Sequence, residues 1–81
     1  MFTVYILKSI NFNWFYVGLS QHPLKRLSQH NNNQVTSYKH YSLLKLIFTK
    51  DFSDRLTARN YEKFIKIRSN KEKLLKTLGY L

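Results

Sequence analysis

Three stretches of the chain are dense in β-branched and aromatic residues, and polar or turn-forming residues bound each of them. Phe2–Lys8 (FTVYILK), Trp14–Leu19 (WFYVGL) and Leu43–Lys50 (LLKLIFTK) therefore predict three strands. Asn11 and Asn13 favour a turn between the first two. Those two strands are expected to pair as an antiparallel hairpin. Gly18 ends the second apolar run, where it allows a positive φ or a close backbone approach. Each strand of the hairpin carries a tyrosine, Tyr5 and Tyr16. Two neighbouring core strands would account for them, and so would two phenols aimed at one phosphate.

Elsewhere the apolar positions follow a helical period. Ser20 is an N-cap candidate, Pro23 suits a first turn, and Leu24 and Leu27 share a face of a helix reaching about His30. HNNNQ (30–34) and the polar, aromatic and basic residues 35–42 read as loop. Ser53 or Asp54 can cap a second helix, with Ala58, Tyr61, Phe64, Ile65 and Arg68 along one face. Ser69–Glu72 has the form of a capping box that would start a third helix. In that helix Leu74, Leu75 and Leu78 face the core and Gly79 is the stop. Asp51 and Asp54 read as loop or cap residues. The order is β-β-α-β-α-α. It predicts an α+β fold, a three-stranded antiparallel sheet flanked by helices, in one domain spanning residues 1–81.

Composition narrows the class. With 43% apolar and 16% aromatic residues, 81 residues can form a small core. The absence of cysteine excludes disulfides and thiolate metal sites and fits a reducing cytoplasm. No apolar run approaches the length of a membrane span, and the N-terminus has no signal-peptide pattern. Fourteen Lys and Arg against four Asp and Glu give a net charge of +10, which favours a polyanionic partner, nucleic acid first. Three histidines without a close cysteine or carboxylate partner make a poor zinc site.

Five positions concentrate the candidate chemistry. Arg26 and His30 are four apart on the first helix and share a face. Glu62 sits four after Ala58 and three before Ile65, bordering the apolar stripe of the second helix. Glu72 is accounted for by capping, whereas Glu62 has no such role. Tyr5 and Tyr16 complete the set. Each has a bland alternative. Tyrosine is favoured in strands, Arg26 can be a solvated charge, and His30 can interact with the last carbonyls of its helix. Glu62 can pair with Lys66 at i,i+4, worth only about 0.3–0.5 kcal/mol. Trp14, Phe15 and Tyr41 could stack on bases or pack in the hairpin and core.

Taken in order, these pieces resemble the GIY-YIG nuclease family, small standalone bacterial type, over nearly the whole chain. VYI (4–6) stands at the GIY element and YVG (16–18) at the YIG element. PLKRLSQHN (23–31) is similar to the family helix that carries an arginine and a histidine, and LLKLIF (43–48) to its third strand. ARNYEKFIK (58–66) is similar to the A-x-x-x-E-x-x-I-K helix. Thr3 and Val4 replace the first two residues of GIY. Leu56 and Thr57 stand where many members have a capping serine and a glutamate, so the cap is expected at Ser53 or Asp54. Asn70 is the candidate for a late asparagine frequent in the family.

The resemblance implies hydrolysis of DNA phosphodiesters with one divalent metal, Mg²⁺ or Mn²⁺. It implies Tyr5, Tyr16, Arg26, His30 and Glu62 as catalytic residues, with Glu62 holding the metal. A hard cation accepts such a site, one carboxylate plus phosphate and waters. Arginine forks onto a phosphate oxygen. Phenol, with a pKa near 10, needs neighbouring positive charge to accept a proton near pH 7, while histidine needs no adjustment. Tyr5, Tyr16 and His30 are the competing bases. Lys25, Lys39, His40 and Lys66 are candidate phosphate contacts, His22 a weaker one, and Gly18 is expected to clear space beside the tyrosines.

A DNA endonuclease, with a role in repair or recombination and nicked, branched or damaged DNA as candidate substrates, is the first functional expectation. A non-catalytic nucleic-acid-binding module on the same fold is the second, and a basic RNA-associated protein the third. Keeping Glu62 separates the first two, because an acid facing phosphate only weakens a pure binder. About six phosphate contacts would give a log–log salt slope on the order of −5 with little sequence preference. Specificity would then come from DNA structure, a partner protein or a homo-oligomer.

Overall fold

The computed structural model describes residues 1–10, 12–31 and 43–81, and not the side chains of His30 and Asn31. The described elements are β1 (Phe2–Ser9), β2 (Phe15–Ser20), α1 (Pro23–Asn31), β3 (Leu44–Phe52), α2 (Arg55–Lys66) and α3 (Arg68–Thr77). They form one antiparallel sheet in the order β2-β1-β3, so the predicted class and element order hold. The loop expected over residues 35–42, with Lys39, His40 and Tyr41, lies outside the described residues, as does Asn11.

β1 is central and covered on both faces. Val4 and Ile6 join Val17, Ala58, Ile65 and Leu75 in one apolar cluster. Tyr5 and Leu7, pointing the opposite way by the two-residue pleat, join Leu44 in a second, backed by Trp14, Tyr16, Leu27 and Leu46. β3 serves both clusters through a bulge. Its pairing with β1 shifts between Ile6 and Leu7, from Phe48 to Leu46. The extra residue, Ile47, lets the consecutive Ile47 and Phe48 both pack on the first cluster while Leu44 and Leu46 serve the second.

The helix ends correct several expectations. Ser20 closes β2 and does not cap α1. Its Oγ accepts from the His22 amide at 2.9 Å, and the His22 carbonyl accepts from the Arg26 amide, which puts Pro23 first in the helix. Leu24 is exposed, leaving Leu27 as the anchor of α1. Asp54 is the N-cap of α2, accepting from the Thr57 amide at 3.1 Å and from the Thr57 hydroxyl. Those hydrogen bonds hold its carboxyl below the usual carboxylate range. Asp51 is a strand residue that accepts from Thr3 Oγ1 at 2.6 Å.

Phe64, placed on the inner face of α2 by its spacing, is exposed, and Arg68 belongs to α3. The Ser69–Glu72 capping box does not form. α3 begins two residues earlier than that box would start it, after the extended Ile67, and Glu72 pairs with Arg68 Nε at 3.0 Å. Asn70 instead donates to the Phe64 carbonyl at 2.9 Å, tying the start of α3 to the end of α2. At the other end Gly79, at φ 89°, closes α3 as expected. Its amide reaches Lys76 O at 3.0 Å and the Tyr80 amide reaches Leu75 O at 2.8 Å, the paired bonds of a Schellman stop.

Candidate active site

The register of the hairpin sets the site. Tyr5 lies directly opposite Gly18, and Leu7 opposite Tyr16, so Tyr5, Gly18 and Tyr16 share one face. Gly18 is not needed for a positive φ, since Gly79 is the positive-φ glycine among the described residues. It is needed for space. A methyl group there would stand 2.5 Å from both Cζ and the hydroxyl of Tyr5 and 3.0 Å from Cε2 of Tyr16. The Tyr5 ring therefore lies across the backbone of β2. Tyr16 stands beside it, with ring centroids 6.4 Å apart, and stacks on Trp14 at 6.3 Å. Trp14 thus packs on the hairpin.

A cleft of about 350 Å³ opens at this end of the sheet. Tyr5, Tyr16, Arg26 and Glu62 all line it, with Phe2, Leu19, Ser20, Gln21, Arg55 and Arg59 completing the wall. Four of the five expected residues thus meet in one hollow. His30 lies on α1 one turn beyond Arg26, and its side chain is outside the described set.

The two tyrosines differ. Tyr5 is 1% exposed, while Tyr16 is half-buried. Burial pushes the Tyr5 phenol above its usual value, against the lowering effect of the hydrogen bond it makes with Arg26. The charges of Tyr16 and Glu62 push in the same direction as burial. The expected lowering by adjacent Arg26 is therefore present at Tyr5 but outweighed by desolvation. Arg26 also donates to Gln29 Oε1 at 3.4 Å.

Glu62 does more than border the buried stripe of α2. It lies within that stripe, between Ala58 and Ile65, and is 7% exposed. Its two oxygens face different cations. Oε1 is 3.8 Å from Arg59 Nε and Oε2 is 3.3 Å from Lys66 Nζ. Burying a carboxylate among apolar groups is costly unless cations or hydrogen bonds compensate it. Here the two cations are exposed side chains that can move away, so the arrangement suits a carboxylate that exchanges partners. One recessed oxygen donor beside a polar cleft fits a hard divalent cation that keeps several waters. No group of three or more His, Cys, Asp or Glu that could form a closed metal site occurs among the described residues.

Lys25 is exposed on α1, and Lys66 is engaged with Glu62. Asn70 is spent on the Phe64 carbonyl and does not line the cleft. Arg55 and Arg59 are not among the residues that the sequence singles out. Their signal was present in the spacing, because Arg55, Arg59, Glu62 and Lys66 follow one another by four, three and four residues and so share a helix face.

No described helix is long and apolar enough to cross a membrane. No curated protein and no solved structure matches the chain. The family model described as GIY-YIG catalytic domain matches residues 1–75, which includes every residue of the cleft. That family consists of endonucleases that act on DNA, generally with divalent metal ions. The chain belongs to the GIY-YIG catalytic domain family, and its function is of the nuclease type.

Proposed function

We propose that the protein is a metal-dependent DNA endonuclease that hydrolyses phosphodiester bonds in this cleft, acting in the cytoplasm in repair or recombination. The observation that carries the reading is the meeting of two phenols, a guanidinium and a recessed carboxylate around one hollow. Hydrolysis needs a water that loses a proton, a partner for the charge on the phosphoryl oxygens, and help for the departing oxygen. Arg26 suits a non-bridging oxygen, where its planar fork gives charge-assisted hydrogen bonds.

Tyr16 is the better placed phenol for the attacking water, because solvent reaches it and does not reach Tyr5. It positions the water and accepts its proton as the new P–O bond forms and the bond to the leaving oxygen breaks. His30, four residues after Arg26, is the competing proton acceptor. Tyr5 holds Arg26 in place through its hydroxyl. Glu62 is the residue that would hold one Mg²⁺ or Mn²⁺, which supplies Lewis-acid stabilisation of the phosphoryl and leaving oxygens when bound.

One observation favours the alternative, a nucleic-acid-binding module without catalysis. Both oxygens of Glu62 already face cations, as they would in a purely structural ion-pair cluster. The two readings separate in a cleavage assay at low salt on single-stranded, duplex, nicked and branched DNA, with Mg²⁺, Mn²⁺ or EDTA. The endonuclease reading expects cutting that EDTA abolishes, and the preferred substrate then defines the selectivity. Metal-indifferent binding without cutting would leave the binding module in its place.

A further inference from the structure

We propose that Arg55 and Arg59 form a second phosphate site on the α2 wall of the cleft, which takes a phosphate flanking the scissile one. The inference rests on the nucleic-acid reading above and deepens it. Both arginines line the same hollow as Arg26 and Glu62. They also line, with Leu56, a neighbouring and mainly apolar hollow of about 460 Å³ on α2.

Charge accounting points the same way. The chain has four acids. Asp51 accepts from Thr3, Asp54 caps α2, Glu72 pairs with Arg68, and Glu62 faces Arg59 and Lys66. Arg55 is thus left with no carboxylate among the described residues, although it stands on the rim of a polar cleft. Arg59 holds Glu62 only loosely, at 3.8 Å and with its side chain 56% exposed. Two cations on one helix face, one unpaired and one weakly paired, are what a phosphodiester chain would meet.

The geometry sets the order. Seven residues separate Arg55 from Glu62, roughly 10 Å of helix at about 1.5 Å per residue. A strand whose scissile phosphate lies between Arg26 and Glu62 would carry a neighbouring phosphate along α2 towards Arg59 and then Arg55. Arg59 would exchange Glu62 for that phosphate when DNA enters. These contacts reach the backbone and not base edges, so they add affinity without sequence preference.

Salt-dependent binding of a short labelled duplex, followed by anisotropy in EDTA, tests the site without requiring cleavage. Arg55→Gln with Arg59→Gln should reduce the magnitude of the log–log slope by about two, and Arg55→Gln alone by about one, alike for unrelated sequences. Lys73→Gln with Lys76→Gln removes the same charge from α3, away from the cleft, and should reduce it by less than half as much. Thermal melting of each protein confirms that it is folded. Equal reductions by the two pairs would overturn the proposal, because net charge alone would then explain binding. Cleavage by Glu62→Gln in Mg²⁺ separates this proposal from the catalytic one. If Glu62→Gln abolishes cutting while the arginine pair leaves the slope unchanged, the flanking site alone falls.

Discussion

The two faces of the central strand are both buried, yet they are built from different materials. On one face Val4 and Ile6 meet Ala58, Ile65 and Leu75 from two helices, a closely packed aliphatic layer. On the other, Tyr5 and Leu7 meet Leu44, with Trp14, Tyr16 and Leu27 around them, and one short helix covers them. The first face has few polar groups and follows the ordinary rules of core packing. The second buries a phenol hydroxyl that needs a partner and finds it in Arg26. The cleft opens where the two faces come together at one end of the sheet, with Glu62 contributed by α2 and the tyrosines by the opposite side. The phenols thus stand on the more polar face, while the aliphatic face lends the site Glu62, from one of the helices that cover it.

The sharpest way to break this division is Gly18→Ala. Its methyl group would stand 2.5 Å from the Tyr5 ring and hydroxyl, with the Tyr16 ring also close. The phenol must move, and both the packing and the hold on Arg26 go with it. We expect a stability loss of about 1–3 kcal/mol by overpacking. Cleavage should fall about 10²-fold or more, measured under single-turnover conditions at a temperature where the variant is folded.

Tyr16→Phe should separate rate from stability, lowering the rate about 10²-fold with the melting temperature nearly unchanged. Tyr5→Phe should instead cost about 1 kcal/mol in denaturant unfolding, since Arg26 loses its acceptor. A matching rate loss for the two would erase the distinction between them. On the aliphatic face, Ile65→Val should cost about 0.5–1.5 kcal/mol and leave the single-turnover rate of the folded protein unchanged.

The smallest effect is on pH dependence. Burial raises the phenols of both Tyr5 and Tyr61. The folded chain therefore holds protons that the unfolded chain releases near pH 10. Their contribution is complete below that value and is lost as pH rises through the higher folded values. Tyr5→Phe should flatten this alkaline decline in melting temperature. Asp54 has the opposite sign. Its lowered carboxyl contributes above the usual carboxylate range, and the contribution is lost as pH falls through its folded value.

Much of this was legible in the sequence because local and tertiary preferences agree there. The strands, the Asp54 cap and the Gly79 stop need only the chain around them. Gly18 was legible too, as a gap in an apolar strand, although the register was needed to show that Tyr5 fills it. The capping-box pattern misplaces the α3 start because its residues lie inside the helix, where Arg68 outcompetes Ser69 for Glu72. Leu24 and Phe64 have helical spacing but no facing surface, and periodicity alone cannot supply one. Arg55 and Arg59 do not stand out in the sequence for a different reason. Charges on a helix face read as solvated until a cleft is seen beside them.

The central claim is that the recessed carboxylate serves hydrolysis and is not only half of an ion-pair cluster. Single-turnover cleavage of DNA in Mg²⁺ by the natural protein and by Glu62→Gln, with thermal melts of both, tests it most directly. Glu62→Gln should remain folded and cut about 10³-fold more slowly, the loss expected when several kcal/mol of transition-state stabilisation disappears. A folded Glu62→Gln protein that cuts as fast as the natural one would contradict it.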